Sequence, residues 1–176
     1  MQFCKKTKIV AILMAVVMLS MSLASCAGGN KMTVTVGIKL GEDYIDYLYA
    51  LNEDNEEYIL PEEERTMLND VSVEINYEEG EEISALRAFI EACANYDISY
   101  ELDSTETSVK SVSSYAGVSV TDSENADNNV TYFWSYTING VEPTSGRAAT
   151  NYVSDGDAIV FTLTSAAASD YEEENY

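Results

Sequence analysis

The chain has 176 residues, with nine Lys and Arg against 31 Asp and Glu, no His, and a formal net charge of −22 at pH 7. A chain this acidic repels nucleic acid and anionic membrane surfaces, which excludes both as electrostatic partners. The absence of His removes every Ser-His-Asp and Cys-His arrangement and every His metal ligand.

Lys5, Lys6 and Lys8 precede the apolar run Ile9–Leu19, which is too short for a comfortable membrane span. Leu23-Ala24-Ser25-Cys26 then reads as a lipobox, and the whole segment resembles a bacterial lipoprotein signal. That resemblance implies a signal peptide over 1–25 and lipidation of Cys26. Two or three acyl chains on one residue would hold the protein stably at the extracellular face of the cell membrane. Cleavage leaves six basic residues against 31 acidic ones, a net −25. Residues 26–32 are the lipidated Cys and a short linker. Ala27–Met32 reaches about 20 Å when extended, so the domain sits close to the membrane. Loss of Cys4 and acylation of Cys26 leave Cys93 alone, and no intrachain disulfide can form in the mature chain.

Thr33–Leu40 (TVTVGIKL) alternates Val34, Val36 and Ile38 with polar residues and predicts strand one. The acidic insertion 41–70 reads as a solvated loop with one short helical turn around Tyr44–Leu51. Its carboxylates do not match a calcium loop, and no metal site is assigned. Val71, Val73, Ile75 and Tyr77 alternate as strand two, and Glu78-Glu79-Gly80 reads as a turn. Glu81–Asn95 predicts the one amphipathic helix, with Ile83, Leu86, Phe89, Ile90 and Cys93 on one face. Glu81 and Glu82 suit a helix N-terminus, and Asn95 suits a left-handed cap. Cys93 on that face reads as a buried small hydrophobe.

Ile98, Tyr100 and Leu102 predict strand three, and Val109–Tyr115 a weaker strand four. Thr121–Asn129 is a polar loop; Asp122, Glu124 and Asp127 within it read as solvated rather than as cation ligands. Tyr132, Trp134, Tyr136 and Ile138 share one face of strand five. Asn139-Gly140 ends that strand in a tight turn, and Asp155-Gly156-Asp157 opens strand six, with Ile159, Phe161 and Leu163 alternating. The dozen residues from Val141 to Tyr152 are too many for a simple hairpin loop, and loops of that length are often functional or flexible. Ser165–Tyr176 reads as a disordered acidic tail. The domain therefore spans 33–164. It is α+β, a mixed sheet of about six strands in the order β-β-α-β-β-β-β with one amphipathic helix packed across it. Val34, Val36, Val73, Ile75, Ile98, Ile159 and Phe161 form its core.

The ordered set Trp134, Tyr136, Asn139, Gly140, Tyr152, Asp155, Gly156, Asp157, Ile159 and Phe161 resembles the end of the transcobalamin-like C-terminal domain family. That family is a domain of unknown function in bacterial surface proteins, related to the small β-domain of vitamin B12 carriers. The resemblance implies a β-grasp-like fold, an acidic insertion after the first strand, and a small flat ligand such as a corrinoid. It places the ligand-binding candidates at Trp134, Tyr136, Asn139 and Tyr152. The same face carries Ile138, so Trp134 and Tyr136 also read as sheet core. No cofactor and no catalytic residue is assigned, and the chain reads as a binding module, not an enzyme. The alternative is a surface adhesion domain that contacts a protein or glycan through exposed tyrosines and the 141–152 loop.

Overall fold

The computed structural model describes residues 29–55, 58–121 and 129–167. The signal segment, Cys26, the acidic loop residues Asp122, Glu124 and Asp127, and the tail beyond Ala167 lie outside the described residues. Nearly all the described residues belong to the compact unit that begins at Lys31.

The order is β1 (Asn30–Leu40), α1 (Glu42–Leu51), α2 (Glu62–Arg65), β2 (Thr66–Tyr77), α3 (Ala85–Tyr96), β3 (Tyr100–Leu102), β4 (Val109–Val112), β5 (Tyr115–Ala116), β6 (Val118–Val120), β7 (Val130–Ile138) and β8 (Ala158–Ala167). Five strands form one sheet in the order β2-β1-β8-β7-β6, and β3-β4-β5 form a second. The first sheet is mixed: β1 runs parallel to β8, and β7 runs antiparallel to both β8 and β6. The fold is α+β and mostly β. It differs from the expected single sheet of about six strands because β3, β4 and β5 separate into their own layer. Ser165–Ala167 continue β8 opposite Val130–Tyr132, where the sequence suggested tail.

The two-residue periodicity decides which faces are buried. Register pairs Val36 with Ile159, Ile38 with Phe161 and Leu40 with Leu163, and all six side chains are buried. Of the expected core, Ile98 alone is only half-buried; the other six residues are buried. Phe89 of α3 contacts Phe161 (ring centroids 4.7 Å apart) from one side and Tyr100 of the second sheet (5.4 Å) from the other. One helical residue thus joins both sheets.

α3 starts later than expected. The Ser84 hydroxyl caps it, accepting from Arg87 N at 3.2 Å. Glu81 lies before the helix, and its carboxylate accepts from Glu78 N at 2.9 Å. The left-handed cap is Asp97 (φ 56°), not Asn95.

The acidic insertion is structured at its described residues. α1 buries Tyr44 and Ile45. Tyr44 meets Tyr132 at 5.2 Å, and Tyr47 stacks on Tyr132 at 4.8 Å. Asp43 Oδ2 accepts from Ser165 N at 2.5 Å and from the Thr164 hydroxyl, which fastens α1 to β8. Arg65 donates to the Tyr49 hydroxyl (2.6 Å) and lies over the Tyr49 ring (5.9 Å), and Tyr115 hydrogen-bonds Glu64. Tyrosine bodies supply the apolar area that the acidic letters conceal.

Candidate functional site

β7 carries the turn and the loop expected to matter. Asn139 (φ 53°) and Gly140 (φ 76°) both lie in the left-handed region, which gives a tight hairpin turn. Ile138 and Val141 exchange backbone hydrogen bonds at 2.9 and 3.0 Å, so a hairpin begins on the outer edge of β7. It goes no further. The next residue that would bond in that register is Pro143, opposite Tyr136, and proline has no N–H to donate. The chain leaves the edge there and becomes the 141–152 loop.

That loop is fastened along its length. Ala85 N donates to Asn151 O, Leu86 N to Ala148 O, Ala149 N to Thr107 O and Val153 N to Ile83 O, all at 2.8–3.2 Å. The first two are N-terminal donors of α3, so the loop supplies acceptors to the helix start. Arg147 Nη1 donates to Asp103 Oδ2 (2.8 Å) and to the hydroxyls of Thr105 and Thr107 (3.3 and 3.1 Å). Partial burial opposes ionisation of Asp103, but donors from Thr107, Thr105 and Ser108 outweigh it and hold its carboxyl below the usual range.

Between the β7 edge, the start of β4 and this loop lies a cleft of about 150 Å³. Val109, Trp134, Tyr136, Ala148 and Phe161 give it an apolar interior, and Glu142 and Arg147 stand at it with Ser108 and Ser135. Glu142 accepts from the Ser135 hydroxyl at 3.0 Å. Tyr136 stacks on Phe161 at 5.4 Å and accepts from Asn151 Nδ2 at 2.7 Å. Burial and the nearby Glu142 charge push the Tyr136 phenol up, against the pull of the Asn151 bond. A wider hollow of about 320 Å³ lies at the start of α1, lined by Lys39, Glu42, Glu62 and Arg65 among others. Its charges are of both signs, and Arg65 is already bound to Tyr49 and to Leu60 O. Among the described residues no group of three or more Cys, Asp or Glu converges to hold a metal. Cys93 is buried, and burial pushes its thiol up to about 12.

Of the four ligand candidates, Trp134 and Tyr136 meet at the cleft, and Asn139 and Tyr152 do not line it. Trp134 is 7% exposed, and its indole Nε1 donates to Tyr115 O at 3.1 Å, tying the two sheets together. Asn139 closes the turn: its Nδ2 donates to Asp157 Oδ1 (2.8 Å) and its Oδ1 accepts from Ala158 N (3.0 Å). Tyr152 forms a backbone bridge with Ser84 and is 54% exposed. Ser108 and Val109 reach the cleft from the second sheet, a placement no local pattern discloses. Arg147 was detectable as one of nine cations in an acidic chain. Pro143 was detectable as the breaker three residues after Gly140.

Residues 73–165 match a family described as Domain of unknown function (DUF4430), a transcobalamin-like domain family. The chain belongs to this family. The DUF4430 match takes in the C-terminal end of β2, α3, the second sheet, β7, the 141–152 loop and most of β8, and so the whole cleft. β1, α1 and α2 lie before it, although β1 lies in the sheet between β2 and β8. No curated protein matches the chain.

Proposed function

We propose that this DUF4430 protein is a lipid-anchored module of the extracellular cell surface that binds a macromolecular partner through the β7 edge and the 141–152 loop. The observation that carries this reading is the size of the cleft. At about 150 Å³ it is well below the ~300–1,000 Å³ usual for small-molecule sites. A corrinoid, larger than most such ligands, would have to lie across the opening with little of its surface covered. The same region presents Val141 and Tyr152, 68% and 54% exposed, as contact residues for a larger partner. Binding rather than catalysis suits the two charged groups at the cleft, since Glu142 is held by Ser135 and Arg147 by Asp103. α3 packed on a mixed sheet suits the β-grasp-like arrangement that the transcobalamin likeness implies.

Two measurements test the reading. Cells expressing the full chain and fed an alkyne fatty acid should label the protein, and Cys26→Ala should abolish the label; labelling that survives the substitution would remove the anchor. Full-length protein in detergent micelles, titrated with cobalamin, should leave the emission of the single tryptophan unchanged after inner-filter correction. Saturable micromolar quenching would replace the macromolecular partner with a corrinoid.

A further inference from the structure

The cleft adjoins a piece of sheet edge that no strand among the described residues covers. β7 pairs with β8 throughout, from Val130–Ala167 to Ile138–Ile159, without a register shift. The next residue in that register, Asn139, donates its backbone N–H to Ala158 O at 2.7 Å. Backbone polar groups alternate sides along an antiparallel ladder. Thr137, Ser135, Phe133 and Thr131 therefore face β8, and Ile138, Tyr136, Trp134 and Tyr132 face the other way. Ile138 is satisfied by Val141, and Tyr132 sits opposite Val118 of β6. Between them stand Trp134 and Tyr136, whose N–H and C=O groups point to an edge that no described strand occupies.

Both boundaries of this gap are built by the sequence. At one end Pro143 stops the hairpin. At the other Gly117 ends the β6 pairing: a Cβ there would lie 2.8 Å from Tyr132 O, and beyond it the chain turns to pair with β4. From Tyr132 to Ile138 is about 20 Å at ~3.3 Å per residue, which fits a short added strand. The cleft opens at this gap on the face that carries the Trp134 and Tyr136 side chains, and its apolar interior has room for a side chain of leucine size.

We infer that Trp134–Tyr136 takes an extended peptide from a protein partner as an added strand, with one apolar side chain of that peptide seated in the cleft. Resting on the interaction-module reading above, it names the partner as an extended peptide and the mode as strand addition. In this mode main-chain hydrogen bonds supply affinity, and a pocket for an alternate side chain supplies selectivity. The chain's net charge of −22 adds a preference for Lys or Arg beside the apolar anchor.

The test uses ¹⁵N-labelled full-length protein in micelles and the capped peptide Lys-Thr-Leu-Thr-Lys as probe. The expected result is saturable movement of the Trp134 and Tyr136 amide signals, with their hydrogen exchange slowed at least tenfold at saturation. The same peptide N-methylated at its three central residues should do nothing, and a Gly-for-Leu or Glu-for-Lys version should bind at least tenfold more weakly. Pro143→Thr restores an N–H, lets the hairpin extend over the edge and should abolish peptide binding while signal dispersion is retained. Absence of shifts at millimolar peptide, or equal shifts with the N-methylated peptide, overturns strand addition. Shifts confined to Val141 and Tyr152 overturn it while leaving the interaction module intact; cobalamin bound at the cleft in the same sample removes both.

Discussion

Replacing Trp134 with Phe separates a packing residue from a ligand contact. The indole is 7% exposed and donates to Tyr115 O at 3.1 Å. Phe keeps the six-membered ring but loses the pyrrole edge, roughly two to three methylene equivalents at ~0.8 kcal/mol each, or about 2 kcal/mol. The Tyr115 carbonyl also loses its donor, which adds about 1 kcal/mol. The expected loss is about 3 kcal/mol. With a urea m-value near ~2 kcal/mol/M, the midpoint falls by about 1.5 M at unchanged m. The assay is urea unfolding followed by far-UV circular dichroism, because the substitution removes the only tryptophan. A loss below about 0.5 kcal/mol would refute the reasoning: Trp134 would then contribute little to joining the sheets, and its value would lie in contact with a ligand.

Three further outcomes follow from the same geometry. Asn139→Ala removes two turn-closing hydrogen bonds and puts Ala at φ 53°, so Tm should fall by about 6–8 °C, and Asn139→Gly by about half as much; equal falls would show that backbone strain contributes nothing. Cys93, its thiol pushed up to about 12 by burial, should stay unlabelled by a disulfide reagent at pH 8 until urea is added; rapid labelling mapped to Cys93 itself in the native protein would contradict its burial. For Asp43, burial opposes ionisation, but hydrogen bonds from Ser165, Tyr44 and Thr164 hold its carboxyl below the usual range. Its contribution is therefore present above the unfolded value of about 3.9 and lost as pH falls through the lower folded value. The Tm gap between wild type and Asp43→Asn should be full at pH 6 and close toward pH 2; a gap constant with pH would argue against that linkage.

The strands with a plain two-residue period were legible. β1, β7 and β8 each carry large apolar residues at every second position, and that pattern does not depend on what packs over them. α1 was harder because its apolar face is made of tyrosines set among acids, and its burial depends on Tyr132, more than eighty positions away. β6 has three residues and no distinctive letter, and only its pairing with Val130–Tyr132 makes it a strand. Half of the candidate site was readable: Trp134 and Tyr136 do meet at the cleft. The other wall was hidden, since Val109 and Arg147 arrive from segments whose proximity is set by the Asp103–Ser108 turn and the start of α3. Asn139 was legible as a turn residue, since Asn-Gly is a turn signal in one dimension, and it closes that turn without lining the cleft.

β1 has a mechanical consequence. A lipid on Cys26 would be only a few residues from Asn30, so tension from the membrane would enter the fold at the N-terminal end of that strand. A partner held at the outer edge of β7 would pull from the far side of β8. A pull directed along the strands would then cross the parallel ladder from Thr35–Ala158 to Leu40–Leu163. Loaded this way the six register pairs bear the force together and yield by sliding, rather than being peeled apart one at a time. If Cys26 carries the proposed lipid, a tethered strand set between two neighbours would make the domain a shear joint.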